Sequence, residues 1–152
     1  MGFFDKIYGW LTFIFGQDMN YLISGYNCET QLFDEPNYFP QIGFWTVVIA
    51  VVVALAYYFL FNHPRFNRWW SWLIMLFVNA CASMVYGYAF VKSLVNNVDY
   101  DISSLDVEPY FLNFGIANAI FCTVCFFLMS LVVKRFSTNC KHSPFKSLFP
   151  KN

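Results

Sequence analysis

Cys122 and Cys125 stand at the Cys-x-x-Cys spacing used in thiol–disulfide exchange and zinc binding. Either chemistry needs a turn or a helix start, where a thiolate is stabilised. Here the pair lies inside an uncharged apolar stretch, so both cysteines read as small buried apolar side chains. Cys28 is the only one of the five cysteines expected outside, which leaves it without a partner for an intrachain disulfide. Cys140 and His142 bring two metal-ligand types together near the C-terminus, two ligands short of a zinc site. Asp99, Asp101, Asp106 and Glu108 bring four carboxylates together. They lack the glycine and the oxygen spacing of a helix-loop-helix calcium site and read as a solvated acidic loop. His63 and His142 are the two histidines, and both fall outside the apolar stretches, so no His pair is available to hold haem in a bilayer. No Gly-x-Ser-x-Gly, His-Glu-x-x-His or Walker sequence occurs. The expectation is a protein that is not an enzyme and uses no metal or cofactor.

The residues with more to say are small or polar ones repeated every four positions. Thr46, Ala50 and Ala54 form one such stripe, Asn79, Ser83 and Gly87 a second, and Gly115, Ala119 and Thr123 a third, with Asn118 on an adjoining face. In lipid, helices associate by close packing and interhelical hydrogen bonds, and small residues permit both. These ten positions are the candidate helix-packing or pore-lining residues. Packing the helices of one chain together is the first use expected of them. Packing between protomers or lining an aqueous path is the second, with Asn79, Ser83 and Gly87 the best placed for it.

The elements that must carry these stripes follow from composition. Of 152 residues, 59% are hydrophobic, 23% aromatic and only 12% charged, with nine basic and nine acidic side chains and a net charge of +0. That charged share is about half that of a soluble domain. It is too small to cover a water-soluble monomer of this size. The aromatic content excludes disorder, and the charge balance gives no electrostatic case for nucleic acid. The fold class expected is an all-α integral membrane protein.

No charge occurs from Pro36 to Pro64, from Trp69 to Val91 or from Pro109 to Val133. Each gap exceeds the roughly 20 residues a helix needs to span the hydrocarbon. Transmembrane helices are expected over residues 41–61, 69–91 and 110–133. The Val-rich run 47–53 favours a strand in water, but a lone strand cannot satisfy its backbone in lipid. Trp45, Trp69, Trp70 and Trp72 lie near span ends and are expected as interfacial anchors, joined by Arg65, Arg68, Lys134 and Arg135. A short link, 62–68, contains Pro64 and makes the first two spans antiparallel neighbours. Residues 92–109 form an acidic loop and 134–152 a basic tail.

Orientation comes from the basic residues. Arg65, Arg68, Lys134, Arg135, Lys141, Lys146 and Lys151 lie on one side of a three-span chain, and only Lys6 and Lys92 on the other. The link and the C-terminal tail are therefore expected in the cytoplasm. The chain has no Asn-x-Ser/Thr sequon, in keeping with a bacterial inner (plasma) membrane. The N-terminal residues 1–40 carry Phe3, Phe4, Ile7, Leu11, Ile14 and Phe15 at helical spacing and then a polar stretch with Pro36 and Pro40. The segment lacks the basic start and small-residue cleavage site of a secretory signal. One reading is an amphipathic or re-entrant helix at the outer face. The other is a fourth span over residues 7–26, which would place Gln17, Asp18 and Asn20 in mid-membrane. The first avoids that cost and is preferred.

No ionisable residue lies within the three spans and no internal repeat is present, which argues against ion-coupled transport and voltage sensing. Two functions remain. One is a self-assembling homo-oligomer, such as a pore, a lysis protein or a membrane effector. The other is a non-catalytic accessory or scaffold subunit of a larger membrane complex, docking partners through residues 17–40 and 92–109.

Overall fold

A computed structural model of the chain describes residues 2–26, 32–33, 36–60, 69–97 and 108–136. Five helices are formed among them. Helix α1 spans Phe3–Phe15, α2 Gln17–Ser24, α3 Phe39–Leu55, α4 Trp69–Asn97 and α5 Glu108–Val133. A π-helical turn, Ala56–Leu60, prolongs α3, and a 3-10 turn, Lys134–Phe136, prolongs α5. Three of these elements, Phe39–Leu60, Trp69–Asn96 and Glu108–Phe136, are long and apolar enough to cross a membrane. The Val-rich run lies wholly within α3. Pro40 sits in the first turn of α3, where its missing N–H costs no intrahelical bond. The Asn37 side chain accepts from the Phe39 N–H at 3.0 Å there.

The pairing of α4 with α5 is antiparallel, as a ladder of contacts shows. Trp72 meets Ser130, Asn79 meets Cys122, Ser83 meets Asn118 and Tyr88 meets Phe111. Helix α3 lies parallel to α5, with Thr46 against Asn118. The helix α4 runs beyond Val91, so Lys92 is helical and closes the end of α4 onto α5. Its Nζ lies 2.8 Å from Glu108 Oε1, and Tyr88 Oη donates to Glu108 Oε2 at 2.6 Å.

The N-terminal segment is two helices. Gly16 separates them with φ +89°, a conformation that a side chain would strain. No single helix therefore runs through residues 7–26. Gly25, at φ +81°, ends α2 in the left-handed conformation, with the Tyr26 N–H returning to Tyr21 O at 3.0 Å. Helix α1 runs antiparallel along α5, from Phe4 against Phe121 to Gly16 beside Tyr110. It buries Tyr8, Thr12 and Phe15. Its opposite face exposes Phe3, Trp10 and Phe13, the last two by 85% and 83%, together with Lys6. The expected division into an apolar and a polar face is therefore not the pattern found. The aromatic residues occupy both sides.

The buried residues fall into two apolar clusters. One holds Tyr8, Phe15, Ile23, Phe39, Phe111 and Phe114, where α1 and α2 meet the start of α3 and α5. The other holds Ala50, Ala54, Tyr57, Tyr58, Trp72 and Phe126. The π-helical turn lets the adjacent Tyr57 and Tyr58 both face inward, ring to ring at 4.9 Å.

Candidate functional site

Between the two apolar clusters, the three spans meet in a polar layer centred on Asn118. Its Oδ1 accepts from Tyr8 Oη at 2.6 Å and faces Thr46 Oγ1 at 2.9 Å. Its Nδ2 donates to Ser83 O at 2.9 Å and to Ser83 Oγ at 3.0 Å. Ser83 Oγ in turn lies 3.2 Å from Asn118 O. One amide thus joins α1, α3, α4 and α5, with both ends of its side chain satisfied. Asn118, Thr46 and Ser83 are fully buried. Thr46 has a single hydroxyl proton and two acceptors in reach, Asn118 Oδ1 and Ile42 O at 2.8 Å.

A turn further along, Asn79 Nδ2 donates to Cys122 O at 3.3 Å and to Cys122 Sγ at 3.2 Å. Among the described residues, the buried Asn79 Oδ1 meets no hydrogen-bond donor. Cys122 Sγ lies 3.6 Å from Thr46 O. Small residues let the helices approach this closely. A Cβ on Gly115 would stand 2.9 Å from the Met84 carbonyl oxygen, and one on Gly87 would stand 3.1 Å from the Asn118 Cβ. Thr46, Ala50 and Ala54 are buried on one face of α3, and Asn79, Ser83 and Gly87 on one face of α4. Ala119 and Thr123 are half-buried, and the Thr123 hydroxyl returns to Ala119 O at 2.8 Å. The α4 stripe therefore faces α5 of the same chain.

Among the expected anchors, Trp45, Trp69 and Trp70 are exposed. Trp72 is buried, and its indole N–H donates to Ser130 Oγ at 3.2 Å. Trp72 lies two turns before Asn79, on the same face of α4, and so turns toward α5. Lys134 is also buried, while Arg135 is exposed. Arg65 and Arg68, His63, Cys28, Cys140, His142 and the acids Asp99, Asp101 and Asp106 lie outside the described residues.

Cys81, Cys122 and Cys125 are free thiols. Among the described residues, no three His, Cys, Asp or Glu side chains converge on a metal position. The polar layer links α1, α3, α4 and α5 through hydrogen bonds. Known protein families, curated proteins and solved structures give no match to this chain.

Sequence reasoning did not single out Tyr8. Its hydroxyl is the one bond from α1 to the amide. Tyr8→Phe is expected to lower stability by about 0.5–1 kcal/mol, the low end because Thr46 can still serve Asn118 Oδ1. Tyr21→Phe, at an exposed ring, is expected to leave stability unchanged. Equilibrium unfolding in mixed micelles compares the two.

Proposed function

We propose that this chain is a non-catalytic subunit of a membrane assembly, a scaffold that holds its own fold and offers apolar helix faces to a neighbour. The observation that carries this reading is the closure of the polar layer. Thr46, Asn79, Ser83 and Asn118 are all buried within one chain. A water-filled path needs polar groups turned toward it, and the outward faces at the same height hold Phe77, Val78, Val85, Ile120 and Val124 instead. Helix α4 is the natural contact surface. Only 22% of its apolar window is buried, against 39% for each of the other two spans. Cys81, Ala82, Ala89 and Ser93 on its outer side are small enough for a second helix to approach.

In this reading the protein sits in a bacterial inner membrane with α1 as a re-entrant helix on the outer side. The link 62–68 and the tail 134–152 face the cytoplasm. The excess of Lys and Arg in those two segments supports that orientation.

The test is purification in mild detergent followed by native mass spectrometry and planar-bilayer recording. The expected result is no conductance and co-purification of other membrane polypeptides in fixed ratio. Ala89→Leu is expected to weaken that association while leaving the unfolding midpoint within about 0.5 kcal/mol of wild type. A homo-oligomer that conducts ions would overturn the scaffold reading in favour of a pore.

A further inference from the structure

At the end of the bundle where α3 begins, α1, α2 and the residues leading into α3 border a half-open cavity of about 550 Å³. That is within the range of small-ligand sites. Asp5 and Gly9 face it from successive turns of α1, Tyr21 from α2, and Phe33, Asn37 and Phe39 from the chain entering α3. The Asp5 carboxylate is held in place from two sides. Its Oδ1 accepts from Asn37 Nδ2 at 2.9 Å, and its Oδ2 accepts from the Gly2 N–H. Each oxygen keeps a second lone pair. Among the described residues, no basic side chain lines the cavity and Asp5 forms no ion pair. Residues 1–40 carry five acidic side chains, Asp5, Asp18, Glu29, Asp34 and Glu35, and one basic one, Lys6.

Gly9 is the second observation. A glycine inside a helix is destabilising relative to alanine, and it is usually kept where a neighbour approaches closely. At Gly9 there is no such neighbour: an added Cβ would meet nothing within 4 Å. The space in front of it belongs to the cavity. The missing side chain keeps the cavity open.

The geometry points to a binding site for an organic ammonium group, carried by a zwitterionic lipid headgroup or by a soluble amine. A carboxylate supplies the counter-charge, and the rings of Tyr21, Phe33 and Phe39 supply the apolar and cation–π wall that an alkylammonium prefers over water. One carboxylate offers too few oxygens for a calcium ion, and an anion would be repelled. The cavity adjoins Phe39, at the start of a membrane span.

The experiment uses the full chain in nanodiscs of phosphatidylglycerol, which has no ammonium group, titrated with choline and with ethanolamine by calorimetry. Saturable binding is expected for wild type, weakened about tenfold or more by Asp5→Asn and by Gly9→Leu. Gly9→Leu removes a helical glycine, so its unfolding midpoint should equal or exceed that of wild type. If that midpoint falls instead, Asp5→Asn, which keeps the shape and the Asn37 contact, decides. A second arm uses nanodiscs of mixed phosphatidylcholine and phosphatidylglycerol, with native mass spectrometry of the lipid retained. Phosphatidylcholine retained by wild type and lost from Gly9→Leu assigns the lipid source. Binding of soluble amines without that retention assigns the soluble one. Neither saturable binding nor selective retention, or equal binding by wild type and a folded Gly9→Leu or Asp5→Asn, overturns the site.

Discussion

Replacing Asn118 by leucine is expected to destabilise the protein by about 2–3 kcal/mol, while the same change at Asn79 has no cost. Leucine nearly matches asparagine in shape, so packing is kept and only polarity is lost. Asn118 takes part in four side-chain hydrogen bonds, two at each end of its amide. At roughly 0.6 kcal/mol for each interhelical bond in a membrane protein, their loss accounts for most of the expected change. The remainder comes from the Tyr8 hydroxyl, which would be buried without an acceptor. Asn79 differs on each point. Its two bonds to Cys122 are long, at 3.3 and 3.2 Å, and among the described residues its buried Oδ1 meets no hydrogen-bond donor. An unpaired buried carbonyl is a cost that Asn79→Leu removes. That variant is expected within about 0.5 kcal/mol of wild type, or more stable. Equilibrium unfolding of both variants in mixed micelles is the measurement. Equal losses at the two sites would mean that the layer acts as one unit and that Asn118 is not its centre.

The three spans were legible because charge is excluded from lipid-crossing helices, and this chain leaves three long uncharged gaps. The small-residue stripes were legible too, since a period of four marks a helix face. Periodicity does not say what the face meets. The Asn79, Ser83 and Gly87 stripe was expected first to pack within the chain and second to face a protomer or a water path, and the fold shows it against Cys122 and Asn118. Trp72 was legible in principle, because it shares a face with Asn79 and Ser83; preference for the membrane interface outweighed helical register in that reading. Tyr8 was not legible. A tyrosine in an aromatic-rich helix carries no mark of being the one whose hydroxyl meets an amide 110 residues away. The cavity beside Gly9 was hidden for a similar reason. Its walls come from three separate segments, and an isolated helical glycine looks the same whether it faces a ligand, a neighbour or lipid.

The glycines themselves offer the last prediction, a graded series of single methyl additions. Gly115→Ala is expected to cost about 2 kcal/mol, Gly87→Ala about 1 kcal/mol, and Gly9→Ala to stabilise by about 0.5 kcal/mol. All three gain the same helix propensity, so their differences measure what the new methyl touches. At Gly115 it would stand 2.9 Å from the backbone oxygen of Met84. Backbone within α4 cannot turn aside as a side chain can, so α4 and α5 must separate. Asn118 lies one turn from Gly115, and its bonds to Ser83 cross that same interface. At Gly87 the methyl would meet the Asn118 side chain, with Cβ at 3.1 Å and Nδ2 at 3.2 Å. Asn118 is fixed from both ends and can yield by only a few tenths of an ångström. At Gly9 the methyl enters open space, and only the helix gains. Unfolding midpoints for the three variants test the order. If Gly115→Ala proves as stable as Gly9→Ala, the close approach of α4 to α5 does not exist in the membrane. The polar layer would then have to be held by Tyr8 and Thr46 alone.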